Sequence, residues 1–160
     1  MDFFHEYIVK RKVGIIEWLL SILIILAAFL IVGLTIRWAY IGIVAVFDAA
    51  VFYFAYVLIS RFSIEYEYTL TNSELDIDKI YAKRKRTKIL TLDVKEIEIM
   101  APIGYETEIK FDRVIDCSTK DLSNAYFCIY TDNGSRIKFI FNPPQKMIDS
   151  IKTFSPSKVK

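Results

Sequence analysis

Residues 64–94 read IEYEYTLTNSELDIDKIYAKRKRTKILTLDV, and this stretch decides the fold of the second part of the chain. Apolar and polar side chains alternate along it, which is the period-2 pattern of half-buried β-strands. Asn72-Ser73 lies between the first two alternating runs, so a β-hairpin is predicted there. A dense cationic run precedes the third alternating run: Lys83, Arg84, Lys85, Arg86 and Lys88. The stretch therefore predicts three antiparallel strands, with the cationic run at the second connection.

Four more strand-length segments follow this stretch. Alternating runs occupy residues 95–102 and, more weakly, 111–118. Residues 125–132 and 135–142 flank Asn133-Gly134, a dipeptide that strongly favours a two-residue hairpin turn. The second part of the chain is thus predicted to contain about seven antiparallel strands.

The pattern changes from strand to helix near the end of the chain. Asn142 is a suitable N-cap and Pro143 suits the first helical position. The apolar residues that follow recur at helical spacing: Met147, Ile148, Ile151 and Phe154. A C-terminal amphipathic helix is predicted to complete a domain over residues 63–154, and we expect residues 155–160 to form a flexible, frayed tail.

The first part of the chain consists mainly of two long apolar runs, and the whole chain is 54% apolar. The run from Trp18 to Ile36 carries no charge, and the run from Trp38 to Ser60 carries only Asp48. Each run is close to the ~20 residues that an α-helix needs to cross a bilayer. The pattern predicts a transmembrane helical hairpin over residues 13–62.

The two helices of this hairpin are predicted over about residues 14–36 and 38–60. Trp18, Trp38 and Tyr40 lie near the predicted helix ends, where aromatic side chains favour the headgroup layer. Such a short connection requires the two helices to pack as an antiparallel pair.

Basic residues near the apolar runs orient the predicted hairpin. The run Lys10–Lys12 precedes the first helix and Arg61 follows the second, whereas the connection carries Arg37 alone. The positive-inside rule then predicts that both termini and the C-terminal domain lie on the cytoplasmic side of the cell membrane. Residues 1–12 are expected to form a cytoplasmic leader that lies along the membrane interface as an amphipathic stretch.

Small residues suggest how the two helices face each other. Counting from a turn near Arg37 places Gly33 level with Gly42, and Ala27-Ala28 level with Asp48-Ala49. Small residues at facing positions allow close helix packing. A second interpretation, that Gly and Ala simply occur often in membrane helices, stays open.

Two acidic side chains lie in the apolar runs. Glu17 is placed at the cytoplasmic end of its helix, within reach of Arg61 or Lys10–Lys12, and a structural role is expected. Asp48 is placed near the bilayer centre, where a charge is costly and usually faces a partner or a polar path. Both an ion path or oligomer contact and a hydrogen-bonded structural role stay open for Asp48.

The stretch from Tyr68 to Pro102 also resembles a known family. The segments YxLTNxxLDIDKI, KRKR and LDVKxIEIMAP, placed directly after paired apolar helices, resemble membrane-anchored bacterial PH-like proteins and, more narrowly, a small bacterial family that has the same segment. The resemblance implies an α+β membrane protein in which a PH-like antiparallel β-barrel, closed at one end by its C-terminal helix, follows the hairpin. It implies no catalytic or binding residues.

The cationic run has three interpretations. Basic side chains held close to a membrane gain roughly 1 kcal/mol each from anionic headgroups, which favours contact with lipid or with an acidic partner segment. The alternative is a solvated hairpin whose charges pair with Asp76, Asp78 or Asp93 on neighbouring strands. Nucleic-acid binding is disfavoured, because only Tyr81 accompanies the run and the chain's net charge is only +2.

No motif predicts catalysis, a cofactor or a metal site. Cys117 and Cys128 lie on predicted strands and are expected to be reduced and buried in a cytoplasmic domain. His5 is distant from both in the sequence, and phosphate-loop, nucleophile-elbow and HExxH patterns do not occur. A non-enzymatic protein without a cofactor is therefore predicted.

The preferred function is a membrane-tethered interaction or scaffold module, held at the inner membrane surface with its basic hairpin against anionic lipid or a partner. The alternative is a small oligomeric channel or transporter subunit organised around Asp48, with the PH-like domain as a regulatory cap. The partners implied are the bilayer, anionic headgroups, and a second copy or another membrane protein.

Overall fold

A computed structural model describes residues 4–38 and 42–160. The chain divides into two compact units. One is the segment Val13–Ile64, and the other combines Glu65–Lys160 with the N-terminal residues up to Lys12. The N-terminal segment therefore belongs with the C-terminal part of the chain, although the whole of Val13–Ile64 separates them in sequence.

The first unit is the predicted pair of apolar helices. Helix α1 spans Ile15–Thr35 and continues as a short 3-10 turn over Ile36–Trp38, and helix α2 spans Gly42–Ser60. Both are long and apolar enough to cross a membrane by length and composition. Tyr40, which was expected near the headgroups, lies outside the described residues.

The facing residues of the two helices differ from the prediction. Ala28 and Ala55 are the buried small residues, whereas added Cβ atoms at Gly33 and Gly42 would meet no atom within 4 Å. Phe29 and Phe52 meet edge to face at 5.6 Å between ring centroids. Because the 3-10 turn continues the first helix past Arg37, each position of α1 faces a later position of α2 than a count from Arg37 predicts.

The described part of the second unit contains eight strands, one α-helix and a short 3-10 turn over Val94–Glu96. The strands are β1 Phe4–Lys10, β2 Ile64–Thr71, β3 Glu74–Tyr81, β4 Lys85–Asp93, β5 Ile97–Pro102, β6 Arg113–Asp116, β7 Tyr126–Asp132 and β8 Ser135–Phe141. The seven strands expected from residue 63 onward are confirmed as β2 to β8. Helix α3 spans Gln145–Phe154, as the helical spacing of its apolar residues predicts.

These strands form two four-stranded sheets, in the orders β1-β2-β3-β4 and β5-β7-β8-β6. The prediction of an antiparallel barrel is therefore wrong in its closure: the described residues form two sheets and no closed barrel. It is also wrong for β6, which pairs in parallel with β8. A parallel strand at the end of the second sheet does not continue the antiparallel ladder of the predicted antiparallel barrel.

Strand β1, which precedes both apolar helices in the sequence, completes the first sheet. Phe4 pairs with Thr71 and Lys10 with Glu65 in an antiparallel register. The N-terminal leader thus differs from the interfacial stretch expected, because its backbone hydrogen bonds are made with β2. In the chain, the helical hairpin is an insertion between two paired strands.

The core of this unit lies on the inner faces of both sheets and on one face of α3. The alternation predicted for β2 and β3 is observed, because Tyr68, Leu70, Leu75 and Ile77 are buried while the residues between them point outward or lie at the edge of the core. Phenylalanines from β7 and β8 and the apolar face of α3 complete the core: Phe127, Phe139, Phe141, Met147 and Ile151.

Helix α3 begins later than predicted. Pro144 occupies the N-cap position, and Asn142 does not cap the helix. Instead, the Asn142 side chain accepts a hydrogen bond from the Thr119 backbone N–H (2.8 Å) and donates one to the Asp121 carbonyl (2.9 Å). A tertiary contact has therefore replaced the local cap that the sequence favoured.

The tail after α3 is packed, in contrast to the frayed end expected. Met100 of β5 donates a backbone hydrogen bond to Lys158 (2.8 Å) and accepts one from Lys160 (2.9 Å). Val159, between them, is buried. The tail thus lies along the outer edge of β5, and main-chain hydrogen bonds to this edge offset the loss of its conformational freedom.

Because Lys10 and Glu65 are paired neighbours, a short Gly/Ser linker replacing residues 13–63 should leave a soluble domain that folds. We expect a cooperative thermal transition by circular dichroism for this linked domain. Residues 64–160 alone should show a weaker transition or none, since β2 then loses its partner strand. Equal stability of the two proteins would contradict the assigned role of β1.

Candidate functional site

The cationic run lies at the tip of the β3–β4 hairpin. Tyr81 pairs with Lys85, and the turn between them contains Ala82, Lys83 and Arg84. Ala82 and Lys83 have positive φ angles of 51° and 57°, and the Arg84 N–H donates to the Tyr81 carbonyl at 2.9 Å. This tight turn projects a dense positive charge from the end of the hairpin.

Two members of the run form ion pairs along the strands. Arg86 reaches from β4 across β3 to Glu67 on β2, with its Nη2 atom 2.6 Å and 2.9 Å from the two carboxylate oxygens. The Lys88 Nζ lies 2.8 Å from Asp76, and this hydrogen bond raises the pKa of Lys88. The paired-hairpin interpretation therefore holds for Arg86 and Lys88.

Glu67 is an unusual partner because it is a carboxyl group on the outer side of the sheet that is only 4% exposed. Burial raises its pKa above the ordinary value of 4.5, and a hydrogen bond with Glu6 on β1 raises the pKa further. Arg86 opposes these effects, so Glu67 lies at the centre of a charge cluster that connects β1, β2 and β4.

The other three members of the run have no such partners. Lys83, Arg84 and Lys85 are exposed, and none forms an ion pair with any residue in the described ranges 4–38 and 42–160. The five cations predicted as one site thus divide into a paired part on the strand and an unpaired tip.

Strand direction determines which end of the sheet carries this tip. Strand β2 starts at Ile64 and is joined to β3 by the turn at Asn72-Ser73, so β3 ends at Tyr81 beside the start of β2. Lys10, the end of β1, pairs with Glu65 at the same place. The basic tip therefore lies at the end of the sheet where the chain leaves for the apolar helices and returns from them.

The two acidic residues of the helical hairpin lie in different surroundings. The Thr35 hydroxyl, at the end of α1, donates a 2.7 Å hydrogen bond to Asp48 on α2. Asp48 is thus level with the end of α1, nearer the connection than the expected mid-span position. Glu17 lies in the first turn of α1, where its charge is favourable to the helix dipole.

A cleft of about 530 Å³ in the second unit was not foreseen from the sequence. It opens between β1, the segment 119–126 and the start of α3. Its lining includes Tyr7, Val9, Asn124, Ala125, Tyr126, Pro144, Gln145 and Ile148. The aromatic and β-branched run Tyr7-Ile8-Val9 was the available signal for a strand, but its partner lies far along the chain and alternation alone could not locate it.

Polar contacts at one corner join the sheets beside this cleft. The Lys12 N–H donates to the Thr119 carbonyl (3.0 Å), and the Lys12 Nζ lies 2.7 Å from the Asp121 carboxylate. The buried Tyr68 hydroxyl donates to the Cys117 carbonyl at 2.6 Å, and burial raises the pKa of Tyr68. These contacts join the two sheets at this corner, and the cleft lies beside them.

Cys117 and Cys128 are both buried and unbridged, as expected. Burial raises the pKa of Cys117 to about 12 and also raises that of Cys128, which makes both thiols poor nucleophiles. His5 is hydrogen-bonded to Ser150 on α3 (3.0 Å). Within the described ranges, no group of three or more His, Cys, Asp or Glu side chains is arranged to hold a metal ion.

Two β-sheets that share a core with a C-terminal helix, together with an apolar helical hairpin inserted after the first strand, define an α+β module of the PH-like kind. The family model described as bacterial PH-like domain (DUF6106) matches residues 1–160, and the chain belongs to this family. The family assignment made from the sequence is confirmed. The curated proteins and the solved structures that were compared contain no match.

Replacing Arg86 with Gln should destabilise the linked domain by about 1–2 kcal/mol, because the buried Glu67 loses its cation. The matched variant Lys83→Gln should change the free energy of unfolding by less than about 0.5 kcal/mol, as expected for an exposed, unpaired side chain. Urea unfolding measures both. Equal effects would contradict the division of the cationic run into a paired and an unpaired part.

The raised pKa of Glu67 predicts a pH dependence of stability. A carboxyl group whose pKa is higher in the folded state stabilises that state below the unfolded pKa, near 4.5, and this contribution is lost as pH rises through the folded pKa. The melting temperature of wild type relative to Glu67→Gln should therefore fall as pH rises from about 4 towards 8. A difference between wild type and Glu67→Gln that stays constant over this pH range would contradict the raised pKa of Glu67.

Proposed function

We propose that this protein is a non-catalytic, membrane-tethered interaction module. The α1–α2 hairpin anchors the chain in the cell membrane, and the PH-like unit lies on the cytoplasmic side. The basic tip of the β3–β4 hairpin contacts anionic headgroups and thereby orients the unit. Membership of a PH-like family supports a binding role over an enzymatic one.

The observation that carries this proposal is the position of the unpaired cations. Lys83, Arg84 and Lys85 lie at the end of the first sheet from which the chain passes to the apolar helices. If those helices span a bilayer, the connecting residues beside Lys10 and Ile64 keep this end of the sheet close to the headgroups. This position of the cations follows from the strand pairing, and it could not be predicted from residue spacing or from the net charge.

Electrostatics supports the same assignment. Basic side chains near an anionic leaflet gain roughly 1 kcal/mol each, and this gain decays within a Debye length of the surface. Arg86 and Lys88 already have carboxylate partners, so their contribution to a membrane contact is reduced. The three exposed cations at the tip have the unneutralised charge that such a contact requires.

The alternative of a channel organised around Asp48 has less support. The hydrogen bond from Thr35 gives Asp48 a partner within the same hairpin, which favours a structural role. A polar group that is satisfied in this way does not need a second copy or an ion to offset its desolvation.

Depth-dependent quenching tests the proposed lipid contact. A fluorophore is attached to Lys83→Cys in the full chain reconstituted in nanodiscs that contain headgroup-spin-labelled lipid; the native thiols are buried and should not compete. We expect strong quenching in anionic discs and weak quenching in zwitterionic discs. Raising the salt from about 0.1 M to about 1 M shortens the Debye length from about 10 Å to about 3 Å. The quenching in anionic discs should then fall to the level found in zwitterionic discs.

Two controls accompany this measurement. Ser73→Cys places the same fluorophore at the opposite end of the first sheet, where little quenching is expected in either lipid. Combining Lys83→Cys with Arg84→Gln and Lys85→Gln should remove the difference between the two lipids, whereas Lys146→Gln with Lys152→Gln on α3 should preserve it. Similar quenching at positions 73 and 83 in anionic discs would overturn the proposal.

A further inference from the structure

We propose that the free edge of β1, together with the cleft beside it, binds an extended polypeptide segment of a partner protein by strand addition. This deepens the interaction role proposed above, because it names the class of partner, but it does not depend on the basic tip. The chemistry that recognises the partner is main-chain hydrogen bonding, supported by a cleft that accepts side chains.

The first reason is that β1 has an unused backbone edge. It is the outermost strand of its sheet, and β2 is the only strand of the described residues that pairs with it. Apart from the pairing with β2, the backbone groups of Phe4–Lys10 make no hydrogen bond to the backbone of any described residue. An edge strand of this length with no proline and with exposed Phe4, Tyr7 and Ile8 is a ready template for another strand.

The second reason is that an edge strand of the other sheet is covered by another segment of the chain. The outer edge of β5 is covered by the chain's own tail, which exchanges main-chain hydrogen bonds with Met100 and buries Val159. An extended segment is therefore already bound to one sheet edge of this unit. Strand β1 has no comparable cover among the described residues.

The third reason is the shape of the space beside β1. The cleft has the segment 119–126 and the start of α3 as its other walls, and its volume of about 530 Å³ is in the range of ligand sites, roughly 300–1,000 Å³. A space that has walls on both sides suits a single extended chain better than the edge of another folded sheet. The occupant is thus a flexible segment, and a β1–β1 dimer is disfavoured.

The lining specifies the segment's chemistry. Val9, Ala125 and Ile148 provide an apolar floor, and Tyr7 and Tyr126 add aromatic walls. Strand addition places alternate side chains of the added segment towards one face, so apolar residues at every second position suit this floor.

The rim of the cleft is polar. Asn124 is exposed and makes no hydrogen bond with the described residues, so its amide can donate to and accept from the outer edge of the added segment. No strongly charged group dominates, because the nearest carboxylate, that of Asp121, is paired with Lys12. A neutral or weakly charged segment with alternating apolar residues is the expected ligand.

The probe is a library of random linear peptides displayed on phage, selected on the full chain in detergent without anionic lipid. A synthetic, fluorescent copy of an enriched peptide is then titrated by polarisation. We expect N-methylation of alternate peptide amides to weaken binding about tenfold or more in one register and to have little effect in the other. Peptide binding should also slow hydrogen exchange at alternate amides of Phe4–Lys10.

A matched pair of variants tests the site. Asn124→Trp fills the cleft and should weaken peptide binding about tenfold, equivalent to about 1.4 kcal/mol. Leu122→Trp, in the same loop but outside the cleft lining, should stay within about twofold of wild type. Thermal melts of both variants establish that they fold, and the hydrogen-exchange measurement on wild type tests the edge without any substitution.

Three outcomes would overturn the inference: no peptide enriched on wild type over Asn124→Trp, equal effects of N-methylation in both registers, or equal losses for the two tryptophan variants. The triple variant Lys83→Gln, Arg84→Gln, Lys85→Gln should bind the peptide as wild type does. Loss of lipid-dependent quenching with intact peptide binding therefore contradicts only the proposed lipid contact, and the reverse result contradicts only the strand-addition site.

Discussion

The antiparallel pairing of β1 with β2 is the constraint on which the rest of the molecule depends. Residues at the start of the chain are held against a strand that begins only after both apolar helices, and Lys10 becomes the neighbour of Glu65. Because the pairing places Lys10 beside Glu65, the chain leaves the sheet for the helical hairpin and re-enters it at the same end of the sheet. Removing that pairing would leave β2 as an edge strand and the buried Glu67 without Glu6 beside it.

The same geometry gives the cationic run two roles. Beyond the first residue of β4, the charges of the run meet carboxylates: Arg86 reaches Glu67 and Lys88 reaches Asp76. In the turn and at Lys85, the first residue of β4, the basic side chains are exposed and form no ion pair within the described residues. Continuous basic sequence is thus divided by the end of a strand, and only the tip has charge available for an external anion.

An incompletely closed pair of sheets explains the cleft. The sheets meet at one corner, where Lys12 binds Thr119 and Asp121, but no strand of the described residues pairs with the outer side of β1. The parallel strand β6 occupies the end of the second sheet and does not continue the antiparallel ladder around the barrel. The polar segment 119–126 and helix α3 therefore leave an open space instead of a packed wall, and this is the space in which we propose that a partner segment binds.

The amino-acid sequence by itself determined the local structure: seven strands from alternation, α3 from helical spacing, two apolar helices from length, and burial of both cysteines. Each of these features depends on residues close together in the sequence, and the spacing of apolar residues therefore reveals it. Tertiary structure alone decided that Phe4–Lys10 is a strand, that Asn142 binds Thr119 instead of capping α3, that the tail covers β5, and that the helices pack through Ala28 and Ala55. Each of these depends on a partner far along the chain, and a backbone edge or a packing register has no sequence pattern until that partner is in place.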